Sequence, residues 1–180
     1  MVYMILADGF EEIEAIEPVD IMRRSGIDVQ TVSIMDTPCV NGAHGIKINA
    51  DIMINDLISE NMDMLVLPGG EGHKLLDASN DVHALINYAL THGKYIAAIC
   101  AAPSILGKKQ LLTGKKATCY PGFERYCYGA KITGDKVSVD GKIITGRGPG
   151  AAADFAFELT KILKSRNISE ELKDAMQYND

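Results

Sequence analysis

At 180 residues, 47% hydrophobic and 23% charged, the chain has the length for one full hydrophobic core and too little for two, so it reads as a single domain over residues 1–180. A formal charge of -6 with no basic cluster excludes a nucleic-acid footprint and points to small molecules or proteins as partners. The opening MVYMILADGFEEIEAIEP passes quickly into acids and is neither a signal peptide nor a membrane span, so the expected setting is the cytoplasm, with no membrane partner.

Short Val- and Ile-rich runs alternate with helical patterns, the mark of β-α-β units on a mainly parallel sheet. In chain order the pattern predicts a strand over Val2 to Ala7, a helix over Glu11 to Ser25 closed by Gly26, and a strand over Asp28 to Ile34. A small hairpin or edge addition to the sheet is expected between Cys39 and Asn49, then a strand over Met64 to Leu67 and a short helix from His73 to Ser79. Asn80 is placed as the N-cap of a helix over Asp81 to His92, with Gly93 as its left-handed terminator. Next come a strand over Tyr95 to Ile99, a helix over Ala101 to Lys109, and a second hairpin or edge addition to the central sheet between Lys131 and Val139. A strand over Lys142 to Thr145, a helix over Gly150 to Lys164 and an appended helix over Glu170 to Met176 complete the chain.

Cys39, Cys100, Cys119 and Cys127 form no C-x-x-C pair, as expected of free thiols in a reducing compartment. His44, His73, His83 and His92 offer no ligand spacing for zinc, so no metal is expected. In open α/β sheets ligands bind beyond the carboxyl ends of the strands. Those ends read DGFEE, PGGEGHK, CAAP and GRGPG.

CAAP carries the reactive candidate. In KYIAAICAAPSIL a buried strand stops at Ile99 and a helix follows, which puts Cys100 on the turn between small residues, Ala98 and Ala102. That spacing is the one a nucleophile elbow requires, and the free amides of the helix start are expected to lower the thiol pKa toward neutrality. An isolated cysteine is more often an inert core thiol; position argues otherwise here, whereas Cys39, Cys119 and Cys127 keep the structural reading. On the first helix Glu17, Asp20 and Arg24 share a solvated stripe, while Glu14 lies beside Pro18 and Ile21 at the edge of the apolar face. Glu11 and Glu12 read as helix-start carboxylates favoured by the macrodipole. A partly buried Glu14 near Cys100 would share a proton with the thiol and serve as general acid and base.

Together AICAAP, VLPGG, the EEIEAIEPVDIMRRSG helix and GRGPG resemble the ThiJ/PfpI superfamily, in the branch of the parkinsonism-associated protein deglycase and its bacterial relatives. The resemblance implies a flavodoxin-like three-layer α/β/α sandwich and a homodimer. It makes Cys100 the reactive cysteine and Glu14 its partner, with the backbone amides of Gly70 and Ala101 as oxyanion donors. It also implies no cofactor. Ala101 stands where protease-like members have histidine, which argues against peptidase activity. Tyr120 stands where the branch often has a histidine, leaving the chemistry to Glu14. His44 lies where relatives place a basic pocket residue, although a lone loop histidine is more often simply exposed. Pro149, with Arg147, is expected to shape the pocket rim; the glycine spacing of TGRGPGAA fits no phosphate-binding motif.

Two functions follow as alternatives. One is a glutathione-independent glyoxalase or deglycase, in which Cys100 adds to a 2-oxoaldehyde or a glycated protein and Glu14 moves the proton. The other is an oxidative-stress sensor or redox-linked chaperone in which Cys100 becomes a sulfenate or sulfinate.

Overall fold

The computed structural model describes residues 1–178. The strands, in chain order, are β1 Val2–Leu6, β2 Val29–Ser33, β3 Cys39–Asn41, β4 Lys47–Asn49, β5 Ile52–Met53, β6 Met64–Leu67, β7 Tyr95–Ile99, β8 Lys116–Ala117, β9 Lys131–Ile132, β10 Val137–Asp140 and β11 Ile143–Gly146. The helices are α1 Glu12–Arg24, α2 His73–Ala78, α3 Asn80–Thr91, α4 Pro103–Lys108, α5 Ala152–Leu163 and α6 Arg166–Ala175.

The central sheet has the order β10-β11-β7-β6-β1-β2-β5, and only the β10–β11 edge pair is antiparallel. Its five principal parallel strands therefore stand 2-1-3-4-5 in order of appearance, the flavodoxin-like arrangement. Alternation along β1 divides the core. Tyr3 and Ile5 face Val82 and Ile86 of α3 and Ile105 of α4, while Met4 and Leu6 face Ala15 and Val19 of α1 and Phe155 of α5. Helices thus cover both faces, as a sheet of continuous apolar strands requires. On the outer side Leu172 of α6 and Met176 just beyond its end pack against Ile21, Ala153, Ala156 and Phe157.

The β3–β4 hairpin forms as expected, with Cys39 opposite Asn49. Of the two readings for Lys131 to Val139, the hairpin does not form and the edge addition does, since β10 is the edge strand of the central sheet. β10 instead turns at Gly141 to pair with β11, while β9 pairs in parallel with β8. Ser79, not Asn80, caps α3: its backbone is extended and its side chain accepts from Val82 N–H. The helix after Cys100 starts at Pro103, because residues 100–102 form a separate turn and proline suits a first helical position. The last helix begins four residues early, at Arg166, where the Ser165 side chain accepts from Ile168 N–H. Among the described residues no helix is long and apolar enough to cross a membrane.

Candidate active site

The order of the sheet reverses between β1 and β6, and the loops beyond those strands, DGFEE and PGG, meet there beside the turn after β7. Phe10 joins the loops by an antiparallel bridge to Gly70 and a parallel one to Gly42. Glu11 N–H donates to the Gly69 carbonyl at 3.2 Å. Gly70 has a φ of +76°, and a Cβ there would lie 2.6 Å from Glu11 N, so only glycine lets the PGG turn close on the start of α1.

Cys100 has a φ of +66°. A left-handed non-glycine residue costs about 1–2 kcal/mol, and two backbone bonds hold this one in place. Its N–H donates to the Gly146 carbonyl at 2.9 Å, and its carbonyl accepts from Tyr120 N–H at 2.8 Å. Ala98 and Ala102 are fully buried on either side, and Cys100 itself is 8% exposed. Strain maintained in this way is a recurrent property of functional turns.

Glu14 lies deeper than the sequence reading placed it, at 0% exposure. Its Oε2 accepts from Gly69 N–H at 2.8 Å, while Oε1 has no conventional partner and the carboxyl interacts with the Cys100 thiol. Gly69 is the spacer between them: a Cβ there would stand 2.6 Å from Glu14 Oε2 and 2.7 Å from Cys100 Cβ. Gly69→Ala is therefore expected to separate the pair. A loss of about 1–3 kcal/mol in chemical denaturation checks this; an unchanged midpoint would show that the spacing is loose.

Burial pushes the Glu14 carboxyl up to about 7, against smaller lowering by its bonds to Cys100 and Gly69. The expected lowering of the thiol by helix-start amides alone is not met. Burial, followed by the charge and hydrogen bond of Glu14, pushes the Cys100 thiol up, and the Gly70 and Ala101 amides only partly oppose this. The two shifts describe one coupled titration, in which the pair gives up its first proton near neutrality and keeps the second to high pH. The donors indicate where the remaining proton sits. With the proton on Glu14, the thiolate receives the Gly70 and Ala101 N–H groups and the orphaned Oε1 gains a hydrogen to donate. With the proton on sulfur, both amides face a weak neutral acceptor.

Above the sulfur is a cavity of about 370 Å³, lined by Glu11, His44, Gly70, His73, Ala101 and Tyr120 among others. Tyr120 continues into an adjoining hollow with Arg147 and Pro149, so the structure brings all three rim candidates, His44, Tyr120 and Pro149, around one mouth. A larger cleft of about 560 Å³ lies at the opposite ends of the strands, by Met1, Asp63, Lys94 and Tyr95. It holds no thiol and lies away from every strand-end motif.

Residues 1–162 match the family described as DJ-1/PfpI. The chain belongs to the DJ-1/PfpI family. It is 37% identical over 170 residues to DJ-1 homolog B of Arabidopsis thaliana, which covers 93% of this chain but 39% of that relative, so the chain spans only about two-fifths of its length. It is 30% identical to a deglycase of Pyrococcus abyssi, over 91% of this chain and 99% of that one. Its structure matches an oxidized DJ-1 of Toxoplasma gondii with a TM-score of 0.94 and 32% identity, over 99% and 98% of the two chains.

Two features of this DJ-1/PfpI site escaped the sequence reading. Glu12, read as a helix-start carboxylate favoured by the macrodipole, is buried. Its Oε1 accepts from His44 N–H at 2.7 Å and its Oε2 meets His44 Nδ1 at 3.0 Å. Burial raises its pKa, but the His44 ring, its own backbone and the His44 and Ile46 amides together hold the carboxyl below its usual range. Glu12 thus fixes the hairpin loop that carries His44, whose side chain stays 70% exposed. His73, which no motif signalled, is buried. Its Nδ1–H donates to the Gly70 carbonyl at 2.7 Å, and its ring stands edge-on to Phe123. Its place just after PGG was the available clue. Glu11, Glu12 and His44 form the one group among the described residues whose ligand atoms, all within 4.8 Å, are close enough for a metal. Sequence spacing does not reveal it, and its Glu12–His44 contacts already serve the loop.

Proposed function

We propose that the protein is a cysteine-dependent, glutathione-independent glyoxalase or deglycase that acts on small 2-oxoaldehydes or on the adducts they form with proteins. The observation that carries this reading is a left-handed Cys100 beside a buried Glu14, a pair that gives up one proton near neutrality, with the Gly70 and Ala101 amides on the sulfur. A carboxyl that shares a proton with its partner near the working pH is suited to both taking and giving one. The deglycase name of the Pyrococcus relative supports the substrate class.

With methylglyoxal, the Cys100 thiolate adds to the aldehyde carbon and the carbonyl oxygen takes the Glu14 proton, giving a hemithioacetal and a Glu14 carboxylate. The amides of Gly70 and Ala101 stabilise the charge that develops on that oxygen. Glu14 then takes the proton from the hemithioacetal carbon and returns it to the neighbouring carbonyl carbon, while the hydroxyl proton passes to the neighbouring carbonyl oxygen, which yields a 2-hydroxyacyl thioester. Water cleaves the thioester to lactate and free Cys100. The sum is methylglyoxal plus water giving lactate, and no step draws on a metal or organic cofactor.

The test is lactate production from methylglyoxal by purified protein without glutathione, in an amine-free buffer. Steady turnover supports the reading; no lactate above a heat-inactivated control overturns it. The same donors favour one second reading, a redox sensor, since two N–H groups and a protonated Glu14 would also hold the oxygens of a Cys100 sulfinate. Stoichiometric peroxide titration of Cys100 without turnover would select it. Exposed Ile13, Ile16 and Ile46, on α1 and the hairpin beside the site, favour a homodimer through this face.

A further inference from the structure

Two thiols outside the proposed reaction meet behind the wall of the cavity. β8 and β9 pair with Lys116 opposite Lys131 and Ala117 opposite Ile132, which draws together the ends of the segment between them. Cys119 follows β8 and Cys127 precedes β9. Successive turns reverse the chain: Phe123 N–H donates to the Tyr120 carbonyl at 3.0 Å, Tyr126 N–H to Phe123 at 2.9 Å and Cys127 N–H to Glu124 at 3.0 Å. Both cysteines are buried and free, lie in one apolar cluster with Ile105 and Leu106 of α4, and hydrogen-bond each other. Gly107 of α4 presses on the Cys127 backbone with no room for a Cβ. The same segment carries Tyr120 and Phe123, which line the Cys100 cavity.

We propose that Cys119 and Cys127 are a redox-active dithiol, oxidised by hydroperoxides to a disulfide that fastens the base of the segment bearing Tyr120 and Phe123. In the first step one sulfur attacks the O–O bond of hydrogen peroxide, forming an S–O bond and releasing one water. In the second the partner sulfur attacks the sulfenic sulfur, forming the S–S bond and releasing a second water. Two thiols and one peroxide thus give one disulfide and two waters. The hydrogen bond they share, with burial, holds the Cys119 thiol up, while the same bond draws Cys127 down.

Arg125 lies between the two cysteines, so trypsin separates peptides Ala117–Arg125 and Tyr126–Lys131. The full chain is treated with one equivalent of hydrogen peroxide, alkylated, digested without reductant and mapped by mass spectrometry. The expected product is these two peptides joined, lighter than their sum by two hydrogens and separated by reductant. It should persist in Cys100→Ala and vanish in Cys119→Ala and in Cys127→Ala. Alkylation of both thiols after peroxide, a lone sulfinate at either, a bond from either to Cys39 or Cys100 only, or loss of the product in Cys100→Ala would each overturn the proposal.

Discussion

Replacing Cys100 with serine is expected to remove lactate formation by at least about a thousandfold with the fold intact. A serine hydroxyl is a far weaker acid than a thiol, so the pair that gives up its first proton near 7 with sulfur present has no such proton to give with an alcohol in its place. The Gly70 and Ala101 amides alone do not make an alcohol nucleophilic. Cys100→Gly separates chemistry from structure. Glycine accepts a φ of +66° without the roughly 1–2 kcal/mol that cysteine bears there, so this variant should be inactive yet melt no lower than the parent. Residual activity in either variant would remove Cys100 from the mechanism. A marked drop in melting temperature for Cys100→Gly would assign the residue a structural role instead.

Glu14→Gln is expected to lower kcat about 10²- to 10⁴-fold, because the amide keeps the Gly69 contact but moves no proton. It should also change how stability depends on pH. The folded carboxyl is raised to about 7 from a usual 4.5. Its favourable contribution is therefore complete below about 4.5 and is lost as pH rises through about 7, an effect of up to roughly 3 kcal/mol. The wild type should lose stability between mildly acid and neutral pH, and Glu14→Gln should flatten that slope. Melting curves across the range check it; parallel curves for the two proteins would mean that Glu14 is not desolvated.

Much of this was legible in the sequence, because β-strand ends and helix periodicity are local properties. The run ending at Ile99 followed by CAAP placed Cys100 on its turn, and helical spacing set Glu14 apart from Glu17 and Asp20. What escaped depends on tertiary contact. Burial of Glu12 arises because the β3–β4 loop folds over it and offers two amides and the His44 ring. The role of His73 depends on the Gly70 carbonyl turning back toward it. The raised thiol required the depth of Glu14, which amphipathicity placed only at a boundary. Pairing of β9 with β8 rather than with its neighbour joins segments whose separation in the chain hides the partnership, and with it the meeting of Cys119 and Cys127.

The central claim is that Cys100 and Glu14 share one proton. The rate of Cys100 alkylation by iodoacetamide against pH, in the wild type and in Glu14→Gln, tests it most directly. The wild-type profile should inflect near 7, where the pair gives up its first proton. In Glu14→Gln the inflection should move up by at least about one pH unit, since a glutamine amide is a weaker donor to the thiolate than a carboxylic acid and accepts no proton. Two superimposable profiles with the midpoint of an ordinary free thiol, about 8.5, would contradict it.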